Sequence, residues 1–256
     1  MLSDADRRLH WEGCHNVRDL GGLPTVHGGR VAWGALVRAD SLCRLTAAGR
    51  RALIGHGVRT VLDVRFPSEV ALEPHPFRGG AGGVRYHNLP VNAGRTPAED
   101  DAVSAAFAAA RTREEANRLE LDVNGVGFAR IVAAFARAPR GGVVVHCHAG
   151  KDRTGVAIAL LLSLAGVPDD AIAADYALSA EAVGAAPEPP PPTAEPGGDL
   201  PWWARPRHHR DCPPDAMLAV LAHLRESHGG PGPYLLRGGA TPADLAAARA
   251  RLLGHP

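Results

Sequence analysis

The chain has 256 residues, 45% of them hydrophobic and 21% charged, with a formal net charge of +1. That length holds one α/β domain or two small ones around a real core, and the composition is that of a soluble globular protein. The near-neutral balance gives no global basic field for nucleic acid or a membrane surface, although a local positive site is compatible with it.

Residues 1–11 are polar and charged and lack the apolar core of a signal peptide. Residues 31–38 (VAWGALVR) are rich in β-formers and predict a strand. Residues 46–56 predict a short helix, with Thr46 as cap and Gly57 as stop. Residues 58–64 (VRTVLDV) fit a buried parallel strand, and residues 84–89 a further one. Residues 102–121 are Ala-rich and predict a helix, Gly125 interrupts, and residues 128–138 resume as an amphipathic helix. Gly141 and Gly142 then open a strand over 143–146. Residues 154–165 predict a buried helix ended by Gly166 and Pro168, with more helix over 169–186. Residues 187–214 are Pro-rich and read as a solvated insertion, in which Trp202, Trp203 and residues 205–210 could form a binding flap. Helices return over 215–228 and 244–253. Strands alternating with helices predict an α/β fold with a mainly parallel central sheet flanked by helices, a single domain over 1–256 carrying the insertion. The longest strong apolar run, 156–167, has 12 residues, too short to span a bilayer. The four cysteines at 14, 43, 147 and 212 form no disulfide pattern, so a cytoplasmic location with free thiols is expected.

The chemistry concentrates in VVVHCHAGKDRTGVAIALLL, residues 143–162. A strand entering a helix through a short glycine-containing loop turns backbone N–H groups into a concave nest, and the helix N-terminus adds partial positive charge. Arg153 supplies a planar fork suited to phosphate. Cys147 in such a cradle favours its thiolate, which is a nucleophile. Thr154 is placed to donate to the sulfur as it leaves, and His146 to order the loop. Other uses of the loop fit less well. A nucleotide phosphate loop needs glycine five residues before Gly150 and Ser or Thr after Lys151, where Val145 and Asp152 stand. Zinc could draw on His146, Cys147, His148, His208, His209 and Cys212, but strand alternation separates the thiol from its flanking histidines. A sulfur-transfer enzyme of the rhodanese type has a shorter cysteine loop. A purely structural buried cysteine leaves the nearby charges costly to bury.

Cys147-x5-Arg153-Thr154 matches the C-x5-R-[ST] signature of cysteine-dependent tyrosine and dual-specificity phosphatases. The string HCHAGKDRTG resembles the bacterial tyrosine/serine phosphatases of the protein-tyrosine phosphatase B type. NVRDLGG (16–22), LVRADSL (36–42), LDVRFPSE (62–69), DYALS (175–179) and YLLRGGATPADLAAARARL near the end look like further motifs of that family, so the resemblance runs from about residue 14 to 253. The resemblance implies a phosphotyrosine-phosphatase-like fold and a hydrolase acting on phosphotyrosine, with phosphoserine, phosphothreonine or phosphoinositide as further substrates. It makes Cys147 the nucleophile and Arg153 the phosphate clamp, with His148, Ala149, Gly150, Lys151, Asp152 and Arg153 forming the phosphate cradle. Lys151 resembles the extra lysine of lipid-directed and broad-specificity members, the alternative being a solvated rim side chain. For the general acid, the resemblance favours Asp63, at the end of a buried strand beside the site, with Asp152 inside the loop as its rival, and Asp63 could instead pair with Arg65 or Arg18. Asp19 and Glu69 read as loop braces. No metal or cofactor, no nucleic acid, no stable membrane association and a monomer are expected. The competing reading is a phospho-ligand binding module that has lost catalysis.

Overall fold

The computed structural model describes residues 7–185 and 211–254. Among them, strands β1 (Arg18–Asp19), β2 (Leu36–Ala39), β3 (Val58–Asp63), β4 (Arg85–Asn88) and β5 (Gly142–His146) form one sheet in the order β1-β2-β5-β3-β4. All neighbours are parallel except β1 on β2. The mainly parallel α/β fold expected from the sequence is the one observed. β5 is central because Val143, Val144 and Val145 are apolar on both faces, the pattern a doubly covered parallel strand requires. Its register sets Ala39 and Asp63 on either side of His146, so three strand ends meet just before Cys147.

The helices are α1 (Ala47–Gly55), α2 (Pro67–Leu72), α3 (Pro97–Ala109), α4 (Arg113–Val123), α5 (Gly125–Arg137), α6 (Asp152–Ala165), α7 (Asp169–Ala177), α8 (Ser179–Ala185), α9 (Pro214–His228), α10 (Pro231–Arg237) and α11 (Pro242–Leu252). One face of the sheet packs on Phe128, Ile131 and Phe135 of α5 and Val156, Leu160 and Leu161 of α6. The other packs Val37, Val61 and Val144 against Trp11, Leu53 and Phe77. Each such side chain contributes about 1.5–3 kcal/mol when fully buried. α6 is apolar all round, hence central, and its position holds the loop before it over the strand ends. No helix among the described residues is long and apolar enough to cross a membrane.

Several elements differ from expectation. Residues 31–35 form a turn rather than a strand: the Val31 amide donates to Leu23 O at 2.9 Å and the Ala32 amide to Leu252 O at 2.7 Å. The helix expected over 102–121 is two, because Thr112 starts α4 with a reciprocal cap, its hydroxyl accepting from the Glu115 amide. The stretch expected as helix over 169–186 is divided between α7 and α8. Helices α2 and α10 were not expected from the sequence; both are short and begin at a proline. Most of the Pro-rich stretch, including Trp202, Trp203 and residues 205–210, lies outside the described residues.

Candidate active site

Cys147 follows β5 directly, and α6 begins at Asp152. Three successive loop carbonyls are held from one side. The Ser41 amide donates to His148 O at 2.9 Å. The Asn16 side-chain amide donates to Ala149 O at 3.0 Å and Gly150 O at 3.2 Å, and Arg38 donates to Gly150 O at 2.7 Å. Tying the carbonyls back in this way suits a nest whose amides serve an anion on the opposite side. Gly150 has φ +64, and a Cβ there would stand 2.4 Å from Ala39 O, so no other residue fits without moving β2.

The braces are themselves fixed by one carboxylate. Asp175 on α7 accepts from Arg7 at 2.8 Å, Arg38 at 2.7 Å and Arg18 at 3.2 Å, all buried. Arg18 also donates to Asn16 Oδ1 at 2.5 Å, and Arg18 and Arg38 both reach Ser179 Oγ. Burial opposes the Asp175 charge, but the three guanidinium groups hold its carboxyl well below the usual range. The weak motifs around Asn16, Arg38 and Asp175 are thus one scaffold for the loop. From sequence alone Asn16, Arg38 and Asp175 have no assigned role; the signal they leave there is Asp, Asn and Arg residues recurring in short motifs.

Arg153, on the first turn of α6, is locked by Glu69 of α2 through bonds of 2.5 and 3.0 Å, a bidentate pair. The Phe66 ring covers it, 4.8 Å from centroid to guanidinium carbon. Burial works against the Glu69 charge, yet Arg153 keeps its carboxyl below the ordinary value. Glu69 is a brace, as expected, and what it braces is the arginine. Cys147 is only 2% exposed. Thr154 is fully buried, and its hydroxyl has no hydrogen-bond partner among the described residues. Lys151 is 3% exposed, so the alternative of a solvated rim side chain does not describe it.

The two candidate acids differ sharply. Asp63 is fully buried and takes Arg65 at 2.8 Å and the Tyr86 hydroxyl at 3.0 Å. Burial opposes its charge, but the His146 ring and then Arg65 hold its carboxyl far below the usual range. The pairing with Arg65 left open from the sequence is the one present, and it disfavours Asp63 as a proton donor near neutrality. Asp152 is part-exposed at the start of α6, taking the Tyr176 hydroxyl at 3.2 Å and Arg113 at 3.2 Å. Behind the loop, His146 Nδ1 lies 3.0 Å from Cys147 O, the ordering contact expected of it. Glu120 of α4 is not among the residues that sequence motifs single out. Buried beside Arg153 and Asp152, and bonded by Asn124 at 3.0 Å, it has its carboxyl pushed up to about 7, chiefly by burial. Nothing in local sequence separates it from the exposed acids of the same helix.

The model of the tyrosine phosphatase family matches residues 9–254. A Cupriavidus necator protein whose name is that of a tyrosine-protein phosphatase is 35% identical over 175 residues, 66% of this chain and 61% of its own length, so the match spans under two thirds of that relative. A tyrosine-protein phosphatase of Nostoc commune is 31% identical over 90% of this chain and 78% of its own. The triple specificity protein phosphatase PtpB of Mycobacterium tuberculosis is 31% identical over 67% of this chain and 68% of its own. The resemblance read from the loop and its companion motifs is borne out: the chain belongs to the tyrosine phosphatase family of enzymes.

Proposed function

We propose that this chain hydrolyses phosphomonoesters, phosphotyrosine in proteins foremost, through a cysteinyl-phosphate intermediate. The observation that supports it best is the placement of Cys147, Arg153 and Thr154 at one strand–loop–helix junction, with the arginine fork locked by Glu69. In the first step the Cys147 thiolate attacks phosphorus, the P–O bond to the leaving group breaks, and Asp152 gives that oxygen its proton. In the second, water attacks phosphorus, returns a proton to Asp152, and the sulfur leaves as thiolate assisted by the Thr154 hydroxyl. The cradle from His148 to Arg153 binds the non-bridging oxygens in both steps, where charge develops. Acting on phosphoserine, phosphothreonine and phosphoinositides belongs to the same proposal. It draws on the name of the Mycobacterium tuberculosis relative and on the added charge of Lys151. No metal takes part, and the working unit is a monomer.

The test is hydrolysis of p-nitrophenyl phosphate and a phosphotyrosine peptide with EDTA and reductant present. Turnover is expected in the parent and abolished in Cys147→Ser, which still binds vanadate. An inactive parent that binds phosphate would favour the binding-module reading, and normal turnover by Cys147→Ser would sink the covalent mechanism. Asp152→Asn should lose roughly 10²–10⁴-fold in rate, the usual contribution of an acid–base group. If it keeps its rate while Glu120→Gln loses it, the proton comes from Glu120.

A further inference from the structure

The C-terminal ends of α4 and α9 meet at Asp122, His223 and His228. Both imidazole Nε2 atoms point at one oxygen, Asp122 Oδ1, from 2.8 and 2.7 Å. The rings are nearly perpendicular, at 87° with centroids 5.4 Å apart, so the two nitrogens approach from different planes. All three ligand atoms lie within 4.8 Å of one another. Asp122 is 42% exposed and the histidines 21% and 20%, so the cluster opens to solvent. We propose that His223 Nε2, His228 Nε2 and the Asp122 carboxylate hold one divalent transition-metal ion of the zinc class, with solvent as fourth ligand.

The donor set selects the ion class. Two imidazoles and one carboxylate suit zinc-like ions, whereas calcium and magnesium take oxygen ligands. For His223 an outer partner is also in place. Ser227 Oγ lies 3.1 Å from His223 Nδ1 and can accept its proton once Nε2 binds metal. An Arg237 nitrogen lies 3.3 Å from His228 Nδ1 and 2.9 Å from His228 O. Metallation moves the His228 proton to Nδ1, so Arg237 gives up the first contact and keeps the second. Tetrahedral zinc spaces its ligands by roughly 3.3 Å, so the present contacts must open by roughly half an ångström, within reach of part-exposed side chains.

A second cluster, the buried Asp63, His75 and His146, also lies within 4.8 Å but is poorly suited. The Phe77 amide donates to His75 Nδ1 at 3.2 Å, so the neutral ring carries its proton on Nε2, which is buried without a partner among the described residues. The surface site, by contrast, would staple α4 to α9. At its other end α4 carries Arg113, the partner of Asp152, nine residues and roughly 13 Å along the helix from Asp122. The ion would act on stability rather than on the reacting phosphate, and the inference does not depend on the proposed activity.

The experiment uses the full chain without an affinity tag, carrying Cys147→Ser and kept reduced, so that the loop thiol does not take zinc. Zinc chloride is titrated calorimetrically, and thermal unfolding is followed with and without it. One ion per chain and a raised melting temperature are expected. Asp122→Asn and His223→Gln should each weaken binding by more than ~100-fold, beyond the ~10–100-fold that loss of an outer partner typically costs, and abolish the thermal shift. Absence of one-to-one binding, or binding of equal strength in both variants, overturns the proposal.

Discussion

Glu69 and Glu120 are two buried acids near Arg153 with opposite fates. Glu69 faces the guanidinium squarely and stays ionised; Glu120 meets it only at longer range, and burial prevails. Removing Glu69 therefore frees the clamp. Glu69→Ala should lower kcat/KM by on the order of 10²-fold, since a misplacement near 1 Å costs about that much, while the fold persists by circular dichroism. An unchanged kcat/KM would mean the pair does not orient Arg153. Glu120 makes stability depend on pH. Its folded value, about 7, lies above the ordinary unfolded value, so the folded chain keeps a proton that the unfolded chain releases. Its stabilising contribution is complete below pH ~4.3 and is lost as pH rises towards 7, at up to about 1.4 kcal/mol per pH unit. Glu120→Gln should flatten that decline in urea titrations between pH 5 and 7; parallel curves for parent and variant would refute it. The groups it faces in this range are Arg153, Asp152, Arg95 and Glu69.

At the scale of elements, close approaches decide what substitution is tolerated. Gly127, in the first turn of α5, lies so near Val91 that an added Cβ would stand 1.9 Å from Val91 O. Gly127→Ala improves helix propensity by ~1 kcal/mol in an isolated helix. Here the clash must win, because the backbone of residue 91 has to move, and overpacking of this kind typically costs about 1–3 kcal/mol. A melting temperature lowered in Gly127→Ala is expected, and an equal or higher one would show that α5 can shift. Much of the element pattern was legible: Thr46 caps α1 as its position suggested, and the valines of β5 announced a buried strand. The division of residues 97–123 into α3 and α4 was not, since alanine-rich sequence favours helix throughout and one reciprocal cap at Thr112 overrides it.

For the whole molecule, Asp175 joins the N-terminal segment, β1, β2, α7 and the phosphate loop through three buried arginines. Asp175→Asn removes the counter-charge and leaves those guanidinium groups in low dielectric. Breaking a buried pair of this kind costs about 3–5 kcal/mol. For a domain of this size that corresponds to a fall on the order of 10 °C in melting temperature. Phosphate affinity should fall with it, because Arg38 would no longer be held against Gly150 O. A melting temperature within a degree or two of the parent would show the network to be redundant.

The sequence by itself determined the family, the α/β class and the loop proposed to react, because a thiol, an arginine fork and a helix start that are to act together must sit at fixed short spacings. Cys147, Arg153 and Thr154 are neighbours in the chain, so local pattern exposes them. Only the tertiary structure decided which distant groups hold them. Asn16, Arg38, Glu69 and Asp175 are far apart in sequence and meet through strand register and helix packing. It also decided the states of the acids. Asp63 and Asp152 look alike as residues, but one is buried against Arg65 and the other stands part-exposed at a helix start, and charge in a protein follows surroundings that no spacing rule encodes.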